Sequence, residues 1–223
     1  MKKATILIFT FIVCAGAPAL ATTQSIDFSP GGDKAGYWFF NGSDRLKFFQ
    51  GITVDNALGH STDALVGASV YIPDLTVAKG TDGKFTLEPT NYTVLSIRGE
   101  DPSTVYLKAT LNTGDLVPVG TTGVGYTNFT ADLTDVKVTS AGKALGSDAL
   151  SAIAKTGLAT LDFSLSLQGA AGENYTSFAK MLSFGHTGMG GFSGSITIPE
   201  PATIALLGFG SLAMLRKRRR SFK

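Results

Sequence analysis

One cysteine, two histidines and one tryptophan in 223 residues leave little material for a catalytic or metal centre. The cysteine, Cys14, lies in an apolar run near the N-terminus. Removal of that run as a leader leaves a mature chain without a thiol, which excludes disulfides, cysteine-ligated metals and cysteine nucleophiles. His60 and His186 stand among Gly and Thr with no second ligand at helical spacing, and no His-Glu-x-x-His occurs. Both read as exposed loop histidines. Gly-x-Ser-x-Gly is absent, and Gly191-Phe192-Ser193-Gly194-Ser195 continues as a strand rather than turning into a helix as a nucleophile elbow must. Charge is scarce too, at 16% of residues, and no long segment carries a clean 3.6-residue apolar period, which argues against a helical bundle.

What charge there is sits unevenly. Lys2, Lys3, Arg216, Lys217, Arg218, Arg219, Arg220 and Lys223 take 8 of the 19 cations, leaving 11 against 17 carboxylates in the rest. The body is therefore acidic, which favours solubility and opposes nucleic acid as a partner. At the N-terminus, Met1-Lys2-Lys3, the apolar core Ile6 to Cys14 and the small residues Ala19 and Ala21 have the order of a secretory signal peptide cleaved before Thr22. Three segments follow: residues 1–21 as signal peptide, 22–198 as body, and 199–223 as a C-terminal segment of different composition.

That last segment runs Pro199-Glu200-Pro201, then the uncharged stretch Ala202 to Leu215, then Arg216-Lys217-Arg218-Arg219-Arg220. The prolines hold the chain extended before the apolar run. As a helix the fourteen uncharged residues would rise about 21 Å against roughly 30 Å of bilayer hydrocarbon, a short span that tolerates weak or temporary insertion with the cations on the cytoplasmic side. This order, with Leu206-Leu207-Gly208-Phe209-Gly210-Ser211-Leu212 inside it, resembles the PEP-CTERM sorting signal of bacterial proteins handled by exosortases. The resemblance covers residues 198–223 only. It implies export across the inner membrane, a transient transmembrane-like helix, recognition of Pro199, Glu200 and Pro201 by an exosortase, and release to the cell envelope or extracellular matrix.

The body shows short alternating runs. Leu161, Phe163, Leu165 and Leu167 alternate with Asp162, Ser164, Ser166 and Gln168, the pattern of a strand with one buried face. Val105, Leu107, Ala109 and Leu111 repeat it, as do Phe192, Ile196 and Ile198. About ten or eleven such strands, with Gly- and Asp-rich turns such as Ser140-Ala141-Gly142-Lys143 between them, predict an all-β fold: an antiparallel β-sandwich of jelly-roll type. One short helix is expected, capped by Ser147, with Leu150, Ile153 and Ala154 as its apolar stripe and Gly157 closing it.

Candidate chemistry in this body is thin. Asp27, Asp33, Asp44 and Asp55, with Asp132 and Asp135 bracketing a turn, offer oxygen ligands for a structural calcium ion, but their spacing matches no calcium loop and turn or cap roles account for them better. No other cofactor and no metal is expected. Tyr37, Trp38, Phe39 and Phe40 alternate between two faces, so one pair must point away from the sheet's own core. Tyr37, Trp38 and Phe39 are thus the candidate platform for a sugar ring, with packing under a loop as the alternative. The expected protein is exported and non-catalytic, with exosortase, the inner membrane and exopolysaccharide as partners. A carbohydrate-binding module is the alternative, and a secreted hydrolase comes third.

Overall fold

The computed structural model describes residues 24–31, 37–49, 51–80, 84–90, 93–121, 124–157, 160–168 and 187–198. The expected signal peptide with Ala19 and Ala21, His186, Asp33, Pro199 to Pro201 and the basic cluster from Arg216 to Arg220 lie outside them.

Within them the chain is mostly strand. The first half supplies β1 (Gln24–Pro30), β2 (Trp38–Asn41), β3 (Arg45–Phe48), β4 (Ile52–Ala57), β5 (Ser69–Tyr71), β6 (Leu75–Lys79), β7 (Phe85–Pro89) and β8 (Val94–Arg98). After β9 (Val105–Leu111), β10 (Gly114–Thr121) and β11 (Val124–Val138) come two helices, α1 (Ser140–Ala144) and α2 (Asp148–Thr156). The last strands are β12 (Leu161–Leu167), β13 (Thr187–Gly190) and β14 (Phe192–Ile198).

All pairings are antiparallel, and eight strands close a ring in the order β12-β14-β1-β4-β5-β8-β9-β11, with β11 returning to β12. The expected jelly-roll sandwich is therefore corrected to a closed barrel, which removes the unpaired edges that two open sheets would leave. The long strand β11 makes this architecture. Its first part pairs with β10 and its last part with β9, while β12 lies along its other side. The register breaks between Thr134 and Lys137, and Asp135 has φ +52°, the signature of a bulge that bends a strand. Asp132 and Asp135 thus belong to one bulged strand and bracket no turn. From β10 a further row continues through β7, β6, β3 and β2 to β13, which leads into β14 through Gly191.

Alternation sets the core. Ile26 and Phe28 of β1, Leu161, Phe163, Leu165 and Leu167 of β12, and Ile196 and Ile198 of β14 are all buried. Gly194 sits inward on β14, opposite Phe28 on one neighbour and Leu165 on the other, and their side chains fill the space that a Cβ would need.

Among the described residues two helices, rather than one, interrupt the strands. Thr139 caps α1, its hydroxyl accepting from Gly142 N, so the segment read as a turn makes one helical turn instead. α2 follows the expected caps: the Ser147 hydroxyl accepts from Leu150 N, and Gly157 ends the helix at φ +59°. Its buried residues are Ala149, Leu150 and Ile153, while Ala154, expected in the stripe, is exposed.

Candidate functional site

The first and last described strands are neighbours. Gln24 pairs with Ile198, Ser25 with Thr197 and Ile26 with Ile196. Gln24, the third residue after the expected leader, and Ile198, the residue just before Pro199, thus leave the barrel side by side, at one rim. β14 is an interior strand here, hydrogen-bonded to β1 on one side and β12 on the other, and Ile198 is buried. The body holds the chain rigidly up to the residue that precedes the Pro-Glu-Pro sequence.

The same rim is closed by α2 and the β4–β5 loop. β4 exits there at Ala57, opposite Ile26, and β12 enters there, with Asp162 opposite Thr197. One Asp63 carboxylate oxygen accepts from Leu65 N at 2.8 Å, and the other accepts from Asp148 N at 2.9 Å and Ala149 N at 3.3 Å. This fastens the loop to the N-terminus of α2, where the positive end of the helix dipole favours a carboxylate. Partial burial works to raise the Asp63 pKa, but the hydrogen bonds from Leu65, Ser147, Ala149 and Asp148 outweigh it and hold the carboxyl below its ordinary value. Leu65, Ala149, Leu150 and Ile153 plug the rim with apolar bulk.

The aromatic platform is rearranged relative to expectation. Trp38 is 0% exposed, and its indole N–H donates to the carbonyls of Gln168 at 2.9 Å and Gly191 at 3.0 Å. With Phe40 it forms the inward pair of β2, so it offers no face to a sugar. Tyr37 and Phe39 point away from this core. Tyr37 is 39% exposed and stacks on Phe49, itself 40% exposed, with centroids 4.7 Å apart, while Phe39 meets Phe49 edge-on. The sequence shows Phe48-Phe49 as a second aromatic cluster, but nothing in it places Phe49 beside Tyr37 as part of the platform. Beside it a groove of about 280 Å³ is lined by Phe49, Gly51, Tyr71, Arg98 and Pro102, with the Arg98 guanidinium 4.8 Å from the Tyr71 ring centroid.

Among the described residues the carboxylates do not assemble into a centre. Asp27 and Asp55 line a serine-rich groove of about 310 Å³ on the outside of the barrel, where the Ser164 and Ser195 hydroxyls are 3.0 Å apart. Another outer groove of about 450 Å³ holds Asp115, Asp132 and Asp162, the last two directly opposite across β11 and β12. The Asp44 side chain lies in the β2–β3 turn, 3.3 Å from Asn41 Nδ2. Among the described residues no three His, Cys, Asp or Glu side chains come together to hold a metal ion, and no helix is long and apolar enough to cross a membrane. His60 is exposed in the β4–β5 loop.

Neither curated proteins nor solved structures give a match to this chain. The family model for the PEP-CTERM protein-sorting motif matches residues 197–220, from the last two residues of β14 through Pro199, Glu200 and Pro201 to the arginine cluster. The chain carries a PEP-CTERM sorting signal, a mark of export and membrane-associated sorting, fused without a spacer to the last strand of a closed β-barrel.

Proposed function

We infer that this chain is an exported, non-catalytic protein of the bacterial cell surface or exopolysaccharide matrix, delivered by exosortase processing of its C-terminal signal. The match over residues 197–220 carries the reading. The signal peptide expected at residues 1–21 supports export, and the acidic body suits an aqueous extracellular space. Residues 22–198 form the delivered body. Pro199, Glu200 and Pro201 are the recognition segment, Ala202 to Leu215 hold the chain in the inner membrane until it is processed, and the arginine cluster stays on the cytoplasmic side. Cell fractionation of the native host tests this. Wild type is expected in the envelope or medium, and Glu200→Ala in the inner membrane; equal distribution of the two would leave a plain membrane anchor.

Exposed aromatics favour carbohydrate binding as a second reading for the body itself. Tyr37, Phe39 and Phe49 present ring surface and edges beside a groove that also holds Tyr71 and Arg98. Such surfaces take sugar rings by apolar stacking with polar groups at the margin. Polysaccharide pull-down tests it: retention that Tyr37→Ala and Phe49→Ala leave unchanged removes the platform.

A further inference from the structure

We propose that, while its sorting signal is still attached, the barrel stands rim-down on the outer face of the inner membrane, with the β4–β5 loop and α2 against the lipid headgroups. This rests on the reading of residues 202–215 as membrane-inserted. Ile198 is fixed in the barrel by pairing with Gln24 and by burial, so the tether to the apolar run is only Pro199, Glu200 and Pro201. Three residues reach about 10 Å at full extension. A headgroup layer takes up roughly 5–8 Å of that on one face of a bilayer. The rim is thereby held within a few ångströms of the lipid surface, and nothing between Ile198 and the membrane is long enough to let the barrel turn over.

On charge the rim is mixed. Although the body is acidic, the charges of the β4–β5 loop and of residues 139–160 cancel: Asp63 and Asp148 against Lys143 and Lys155. The Asp63 carboxylate is turned onto the α2 N-terminus, so the loop exposes His60, Ser61, Thr62 and Ala64 and no free carboxylate. The β8–β9 turn reaches the same rim with exposed Glu100 and Asp101, so it is the short tether, not charge, that holds this face to the headgroups.

The full chain, purified with its tail from a host lacking exosortase, is reconstituted in phosphatidylcholine vesicles containing phosphatidylglycerol. In a Cys14→Ser background, an environment-sensitive fluorophore is placed at Ser61→Cys on the rim or at Gln168→Cys at the opposite end of β12, both exposed positions. Headgroup-nitroxide lipid is expected to quench the Ser61 probe several-fold more than the Gln168 probe. A ten-residue Gly/Ser spacer between Ile198 and Pro199 is expected to abolish the difference, since its reach grows to about 17 Å. Equal quenching of the two probes in vesicles that float with the protein overturns rim docking and leaves the anchor intact. Failure to float overturns the anchor itself, and the docking with it. Rim shielding that appears only in native membranes containing the sorting enzyme would make that enzyme, not lipid, the occupant and overturn the proposal.

Discussion

The indole of Trp38 and the backbone of Gly191 are joined by a hydrogen bond of 3.0 Å across 153 positions of sequence. The Gly191 carbonyl also accepts from Gln168 N at 2.9 Å, so β2, the end of β12 and the start of β14 meet at one oxygen. This joint ties the outer row of strands to the barrel immediately upstream of the strand that bears the sorting signal.

Replacing Trp38 by Phe keeps most of the apolar bulk but leaves the Gln168 and Gly191 carbonyls without the indole donor. The expected loss is about 1–3 kcal/mol of unfolding free energy, and Trp38→Ala is expected to lose more because a cavity is added. Urea denaturation measures both. A Phe variant as stable as wild type would mean that water replaces the indole at no cost.

Gly194→Ala places a methyl group against the Phe28 ring and 2.7 Å from Leu165 Cδ2. Overpacking of this kind costs about 1–3 kcal/mol. Combining it with Phe28→Leu is expected to recover part of that loss, and a double-mutant cycle read by denaturation reports the coupling between the two positions.

Strands such as β9, β12 and β14, and α2 with them, were legible because alternation and capping are local. The run Leu161, Phe163, Leu165, Leu167 fixes a face by itself, and Ser147 and Gly157 mark helix ends by their own chemistry. α1 was not, because five residues beginning at Ser140 with Gly142 inside carry turn composition; what makes them helical is the Thr139 hydroxyl, which caps the helix while also donating to the Val105 carbonyl on β9. β1, β10 and β13 were missed as well: β1 begins three residues past the expected leader, β10 contains Pro118, and β13 is half glycine. The barrel was hidden for a deeper reason. Closure depends on register between strands as distant as β1 and β14, and on the bulge in β11, and neither leaves a periodic trace. The same alternation placed Tyr37 and Phe39 opposite Trp38 and Phe40 correctly, but which pair faces inward was decided by Gln168 and Gly191, far along the chain.

Asp63 makes the rim pH-sensitive in one direction. Its folded pKa lies below the unfolded value near 3.8, so its contribution is fully present above that value and is lost as pH falls through the folded pKa. Asp63→Ala is expected to lower stability at pH 7 by roughly 1 kcal/mol, as loss of a helix-terminal acceptor does. The gap from wild type should narrow below about pH 4. Thermal unfolding of the two proteins across pH 2.5 to about 7 checks it; a gap that is constant with pH would assign the loss to packing instead.

Asp132 and Asp162 face each other directly across β11 and β12, and both are exposed. Like charges in this relation oppose pairing, so Asp162→Lys is expected to stabilise the barrel by about 0.2–1 kcal/mol. The gain should shrink as salt is raised, because surface charge interactions are screened. Denaturation at low and high ionic strength measures it.

Intact mass of the protein recovered from its native host tests the central claim most directly. The wild-type chain is expected to begin at Thr22 and to lack the apolar run and the arginine cluster, and the Glu200→Ala chain to retain residues through Lys223. A wild-type protein that keeps Lys223 to the same extent as the variant would contradict it, because the motif at residues 197–220 would then not be acting as a processed sorting signal.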